Sequence, residues 1–348
     1  MRWRRAIGGL AAAIVAISLL VYGVGWNEVV ANVRAAHPAA LAAAVVAGLG
    51  MLALRAALVR RLLEPVAGGA RGTAFVTAYL SGYFARSALP WGRSTGTPVM
   101  AYLLASGSDS DFEDNLAVVA AGEGFNVLGS LVVAGLGVAG FVVAGGSLDA
   151  VSAAVAVVGG GGLVAAGVLV VANRGLARRI SLEFATRCET VVRKVPYSRL
   201  SRQRGFLIDR IDGFFRTLEA IQASRRTLAV AFGIAVVSWV FNALPLYFAL
   251  LALGVDAPLA LVLICAPLAL VLICAPLASF GGVVPLPGGS GGIEVVLASL
   301  LVATAGVSAG VATAAAILYR LTTYWTHLAI GGCVAVAVSA LGTRRFRR

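Results

Sequence analysis

The 348-residue chain is 60% hydrophobic and only 12% charged, with a mean hydropathy of +0.93 and a formal net charge of +13. So few charges exclude a soluble domain of this size, and apolar runs that are continuous rather than alternating exclude a β-barrel. The composition predicts an all-α polytopic membrane protein, organised as one integral membrane domain over residues 1–348.

Residues 7–24 form the first predicted span. Arg2, Arg4 and Arg5 hold the N-terminus on the inner side, and no small-residue cleavage site precedes Trp26, so the segment reads as an uncleaved span. A short outer loop over 25–37 leads to a second span at 39–59, which returns to Arg55, Arg60 and Arg61 at the inner side.

Residues 72–104 are apolar but interrupted. Pro90, Gly92 and Gly96 break regular helix, and Arg86 and Arg93 flank the proline. Two arginines facing lipid at that depth are costly. They either snorkel to the inner interface or line a headgroup-sized cavity. The acidic stretch 106–114 reads as a solvated connection that supplies a helix cap. The span at 115–144 carries Glu123 and Asn126, three residues apart and so on one helix face. Gly122, Gly124 and Gly129 would let a neighbouring helix approach it. A further span is expected at 148–172.

Residues 173–226 are the one substantial polar stretch, with thirteen basic and five acidic residues. The positive-inside rule places it in the cytoplasm. Leu176, Ile180 and Phe184 repeat at helical spacing, as do Leu207, Ile211, Phe214, Leu218 and Ile221 after Pro196. Two amphipathic helices on the inner leaflet, attracted by anionic headgroups, explain these stripes; a nucleic-acid surface does not.

Spans at 228–254 and 258–280 follow. Within the latter, the nine residues 261–269 recur identically at 270–278, which reads as slippage or an artefact rather than a repeat architecture. The second interrupted segment, 283–306, contains Pro285-Leu-Pro-Gly-Gly-Ser-Gly-Gly-Ile-Glu294. Pro285, Pro287, Gly288, Gly289, Gly291 and Gly292 cannot hold a regular helix, and lipid does not tolerate bare backbone. The broken chain is therefore expected to be sheltered by helices or to line a wet interior. Paired Pro/Gly-interrupted segments, one in each half, point to a transporter-type site. A last span near 309–340 ends in Arg344-Arg-Phe-Arg-Arg348. If the first interrupted segment dips and returns while the second crosses, the chain makes about eight crossings. Both termini are then cytoplasmic, in a multi-pass protein of the plasma membrane.

These residues resemble a known family, the lysylphosphatidylglycerol synthase transmembrane region of flippase-like integral membrane proteins. Gly82-Tyr-Phe with Leu89-Pro90 and Ala101-Tyr-Leu-Leu104 is similar to its first motif. Glu123 is similar to its intramembrane glutamate, and the 285–294 stretch to its strongest signature. Leu318-Tyr-Arg-Leu321 with Trp325 resembles its final tyrosine–arginine motif. There are departures. The family's glutamate and arginine after the first glycine are replaced by uncharged residues near Thr97 and Val99–Met100. The arginine after its intramembrane glutamate is Gly124. The resemblance implies a helical fold with re-entrant elements and translocation of an amphipathic lipid. It does not imply lysyl transfer, since the soluble aminoacyl-transferase domain of some members is missing.

Glu123, Glu294 and Arg320 are the foremost intramembrane charges. Arg320 lies too far inside the last apolar stretch to snorkel, and a buried arginine requires a carboxylate, which Glu294 or Glu123 can supply. Two readings stand side by side. One is a fixed ion pair that locks helices together. The other is a polar cavity where carboxylates meet cationic groups of a lipid headgroup and Arg320, Arg86 or Arg93 meets phosphate. Asn126 and Trp325 are further candidate contacts. No metal or cofactor is expected: the cysteines form no Cys-x-x-Cys pair, His37 and His327 stand apart, and Gly288-Gly-Ser-Gly-Gly292 lacks the lysine of a phosphate-binding loop. The alternative functions are a membrane-embedded transferase acting on a lipid-linked substrate and a non-transporting partner subunit.

Overall fold

The computed structural model describes residues 25–88, 92–143, 206–256, 262 and 291–345. Among them there is helix and no strand. In chain order they are α1 (Trp26–Ala35), α2 (Pro38–Leu62), α3 (Gly72–Ala88), α4 (Gly92–Ser106), α5 (Phe112–Val143), α6 (Phe206–Ala223), α7 (Arg225–Ala252), α8 (Gly292–Ala305), α9 (Ala309–Arg320), a π-helical turn (Leu321–Trp325) and α10 (Thr326–Arg345). Among the described residues, four stretches are long and apolar enough to cross a membrane: Pro38–Leu62, Phe112–Gly137, Arg225–Ala252 and Ala309–Ala340. The spans expected at 7–24, 148–172 and 258–280 lie outside the described residues, as does the tandem copy except for Val262.

Local signals set the helix ends. Pro38 occupies the first turn of α2, where a missing N–H does no harm. Ser224 caps α7 by accepting the Thr227 N–H, and Ser308 caps α9 by accepting that of Val311. Gly306, at φ 64°, ends α8 in the left-handed conformation.

The central packing is α2 against α7. They run antiparallel: the His37 N–H bonds Ala252 O at 2.8 Å, and Leu58 and Leu62 share a core with Ala235 and Ala231. Arg60 and Arg61 therefore lie at the same end as Arg225 and Arg226. Two cores flank this axis. One joins α2–α6 through Leu58, Leu62, Tyr79, Met100, Val118 and Ile221. The other joins the far half of α7 to α8 and α9 through Leu246, Leu250, Leu297, Leu301 and Ala316. The helix axis is thus shared while the side chains filling each half are separate.

The interrupted segment 72–104 is a helical hairpin. A Cβ at Gly82 would meet Met100 and one at Gly96 would meet Arg86, so α3 and α4 run antiparallel. At 17 and 15 residues, each helix is about 22–26 Å long, shorter than a full hydrocarbon crossing. In the acidic stretch Asp109 and Asp111 are exposed, as expected of a solvated connection, but its last two acids are engaged. Glu113 pairs with Arg210 at 2.9 Å and Asp114 accepts a hydrogen bond from Thr217, which fastens α6 across the start of α5. Of the two expected amphipathic helices, α6 is the second; the first lies outside the described residues.

Candidate functional site

Gly291 stands at the start of α8 with a φ of 87°, costly for any residue with a side chain. This turn aims its N–H at the side chain of Glu294 in the first turn of α8. Oε2 of Glu294 accepts the Gly291 N–H at 2.7 Å, and Oε1 accepts Nε–H of Arg320 at 3.0 Å. Both side chains are buried, at 1% and 8% exposure. The carboxylate of Glu294 is thus held by a guanidinium and by the positive end of a helix together. Arg320 also lies over the Tyr324 ring, 4.1 Å from its centroid.

Arg320 and Tyr324 are brought together by the π turn. Its widened backbone is supported by threonines that bond back to carbonyls: Thr322 to Leu318 O and Tyr319 O, Thr323 to Tyr319 O, and Thr326 to Leu321 O. Across from it, a Cβ at Gly48 would collide with the Thr322 carbonyl, so the glycine lets α2 approach the turn.

A second ion pair forms in the other half. Arg86, in the last turn of α3, forks onto Glu123 of α5: Nη1 pairs with Oε1, and Nη2 donates to Oε2 at 3.1 Å. These side chains are 17% and 28% exposed. Gly96 is helical rather than broken, and its role is close approach. A Cβ there would sit 2.5 Å from the Arg86 Cα. The two pairs are linked through one residue. The Tyr324 hydroxyl donates to Ser87 O at 2.9 Å, next to Arg86 in the chain, while the ring of Tyr324 lies against Arg320.

Further polar groups fill the region between. Asn242 Nδ2 donates to the Tyr319 hydroxyl at 3.1 Å. Tyr79, Tyr83 and His327 continue the series edge to edge, with centroids 6.2 and 5.8 Å apart. Sequence reasoning missed two members. Arg55 was expected at the inner edge, yet its guanidinium acts electrostatically on Tyr79, Tyr319 and His327, and its Cζ lies 5.5 Å from the Trp239 ring centroid. His327 was expected to stand apart, but it is fully buried and bonds Gly48 O at 2.8 Å. The available signal was position: Arg55 lies one and a half turns inside the Arg60–Arg61 edge, and His327 lies within an apolar span.

The other candidates scatter. Asn126 contributes its backbone, whose O accepts the Trp239 indole N–H at 2.6 Å; its side-chain Oδ1 is buried without a partner. Trp325 packs edge-on to Tyr324, at 5.2 Å between centroids. Gly92 opens α4 and Gly292 opens α8. The Arg93 side chain lies outside the described residues, as do Pro90, Pro285, Pro287, Gly288 and Gly289. No group of three or more His, Cys, Asp or Glu able to hold a metal occurs among the described residues.

The family model described as lysylphosphatidylglycerol synthase TM region matches residues 6–331. No curated protein and no solved structure matches the chain.

Proposed function

The chain belongs to the lysylphosphatidylglycerol synthase TM region family, and on that premise we propose that this multi-pass membrane protein moves the polar headgroup of a phospho- or glycolipid across the bilayer. The acyl chains stay in the hydrocarbon while the headgroup passes along the polar series between the two halves. The observation that carries this reading is the linkage of two ion pairs, Arg86–Glu123 and Arg320–Glu294, through Tyr324. Each pair uses a residue at a helix end, Arg86 in the last turn of α3 and Glu294 in the first turn of α8. Intramembrane charges cost energy and tend to mark substrate pathways, and broken helices beside them suit half-segments that tilt. Glu123 lies near the middle of the span Phe112–Gly137 and is part exposed, which suits a carboxylate that a passing headgroup contacts. The end carrying Arg60, Arg61, Arg225 and Arg226 faces the cytoplasm of the plasma membrane, where anionic headgroups of the inner leaflet are its partners.

The test is reconstitution into vesicles holding a fluorescent short-chain phospholipid, with a membrane-impermeant quencher reading headgroup position. The wild type should equilibrate the label between leaflets, and Glu294→Gln should abolish it. Wild-type flipping that persists undiminished in Glu294→Gln overturns the reading. Chemical turnover of an added lipid-linked sugar without flipping replaces it with a transferase.

A further inference from the structure

We infer that Arg55 is the phosphate-binding residue of this region, taking the phosphate ester of a lipid headgroup. The inference rests on the transport reading and sharpens it. Among the described residues, three guanidiniums gather here, Arg55, Arg86 and Arg320, against two carboxylates, Glu123 and Glu294. Both carboxylates are engaged by Arg86 and Arg320. Arg55 has neither ion-pair nor hydrogen-bond partner among the described residues, and its Nε is buried without an acceptor. An arginine left so at membrane depth is costly, and an anion is the missing counterpart.

The local geometry suits that anion. Trp239 is fixed in plane by its bond to Asn126 O, and it supports Arg55 by cation–π contact. A cation–π contact uses up none of the guanidinium's N–H donors, and the planar fork can bind a phosphate with them bidentately. A second unpartnered group lies within the electrostatic reach of Arg55. His327 Nε2 faces the Gly48 carbonyl, which can only accept, so Nε2 carries the proton and buried Nδ1 is a bare acceptor. A phosphate ester whose headgroup carries a hydroxyl or ammonium donor answers both needs.

The stacking supplies a readout. Protein in nanodiscs of neutral lipid is titrated with short-chain phosphatidylglycerol, with diacylglycerol and with inorganic phosphate, while tryptophan emission is followed. Trp239→Phe identifies the responding ring. Phosphatidylglycerol should shift the emission and diacylglycerol should not. Arg55→Gln should weaken the titration about tenfold or more, and Arg55→Lys less, as expected for loss of a charge-assisted bidentate contact. The thermal midpoint of Arg55→Gln should equal or exceed that of wild type, because an uncompensated cation is removed. Saturation by inorganic phosphate at the lipid's concentration keeps the site and makes its occupant the free ion. An unchanged titration in Arg55→Gln, or an equal response to diacylglycerol, overturns the inference. Flipping that survives Arg55→Gln but not Glu294→Gln sinks this site and leaves transport standing. Absence of flipping with an Arg55-dependent titration does the reverse.

Discussion

The two ion pairs use the same residue types and differ in how they are held. Glu294 has a helix N-terminus, a backbone N–H and a buried guanidinium around it. Glu123 lies mid-helix on α5, is 28% exposed, and meets an arginine at the end of a short hairpin helix. The first pair is a fixed junction between α8 and α9. The second closes a gap between the hairpin and a long span, where water can share in solvating it. Burial raises both the mutual attraction of two charges and the cost of parting them, so the tighter pair should resist exchange with a ligand more strongly. If a headgroup displaces one of the two pairs, the hairpin pair should yield first.

The largest effect should come from breaking the buried pair. Glu294→Ala removes the carboxylate that meets Arg320 at 3.0 Å and should cost about 3–5 kcal/mol, read from denaturation in detergent. Replacing both partners, as in Glu294→Gln with Arg320→Met, should recover most of that loss while leaving flipping absent. A double variant that stays as unstable as Glu294→Ala would show that the pair is more than two matched charges. Next comes the approach of α4 to the hairpin pair. Gly96→Ala places a methyl against Arg86 backbone and should cost about 1–3 kcal/mol. Glu123→Gln should cost about 1–2 kcal/mol, between the buried and surface limits for an ion pair. A loss as large as that of Glu294→Ala would erase the contrast between the two sites.

Much of this was legible in the sequence. Arg320 lies too deep to snorkel, which demanded a carboxylate, and Glu294 follows a glycine pair that cannot continue a helix. The apolar segment expected to be interrupted does hold two separate helices, α3 and α4. Other features left no mark. Leu321–Trp325 holds weak helix formers but nothing that specifies a π turn, which is met by Gly48 on another helix. The partner of His327 is a backbone carbonyl, which any residue could supply. Arg55 was assigned to the inner edge because Arg60 and Arg61 follow it. Its contact with Trp239 shows only once α7 packs against α2.

The smallest effect tests the joint between the two pairs. Tyr324→Phe keeps the ring under Arg320 and removes the bond to Ser87 O. The stability loss should be about 1 kcal/mol, the ordinary net worth of one hydrogen bond. If the pairs act together in moving a headgroup, the flipping rate should fall by more than stability does, because the hairpin end would no longer follow the π turn. A double-mutant cycle of Tyr324→Phe with Glu123→Gln measures this directly. Additive flipping losses would mean that the two pairs work independently, and a coupling well above about 0.5 kcal/mol would tie them into one element.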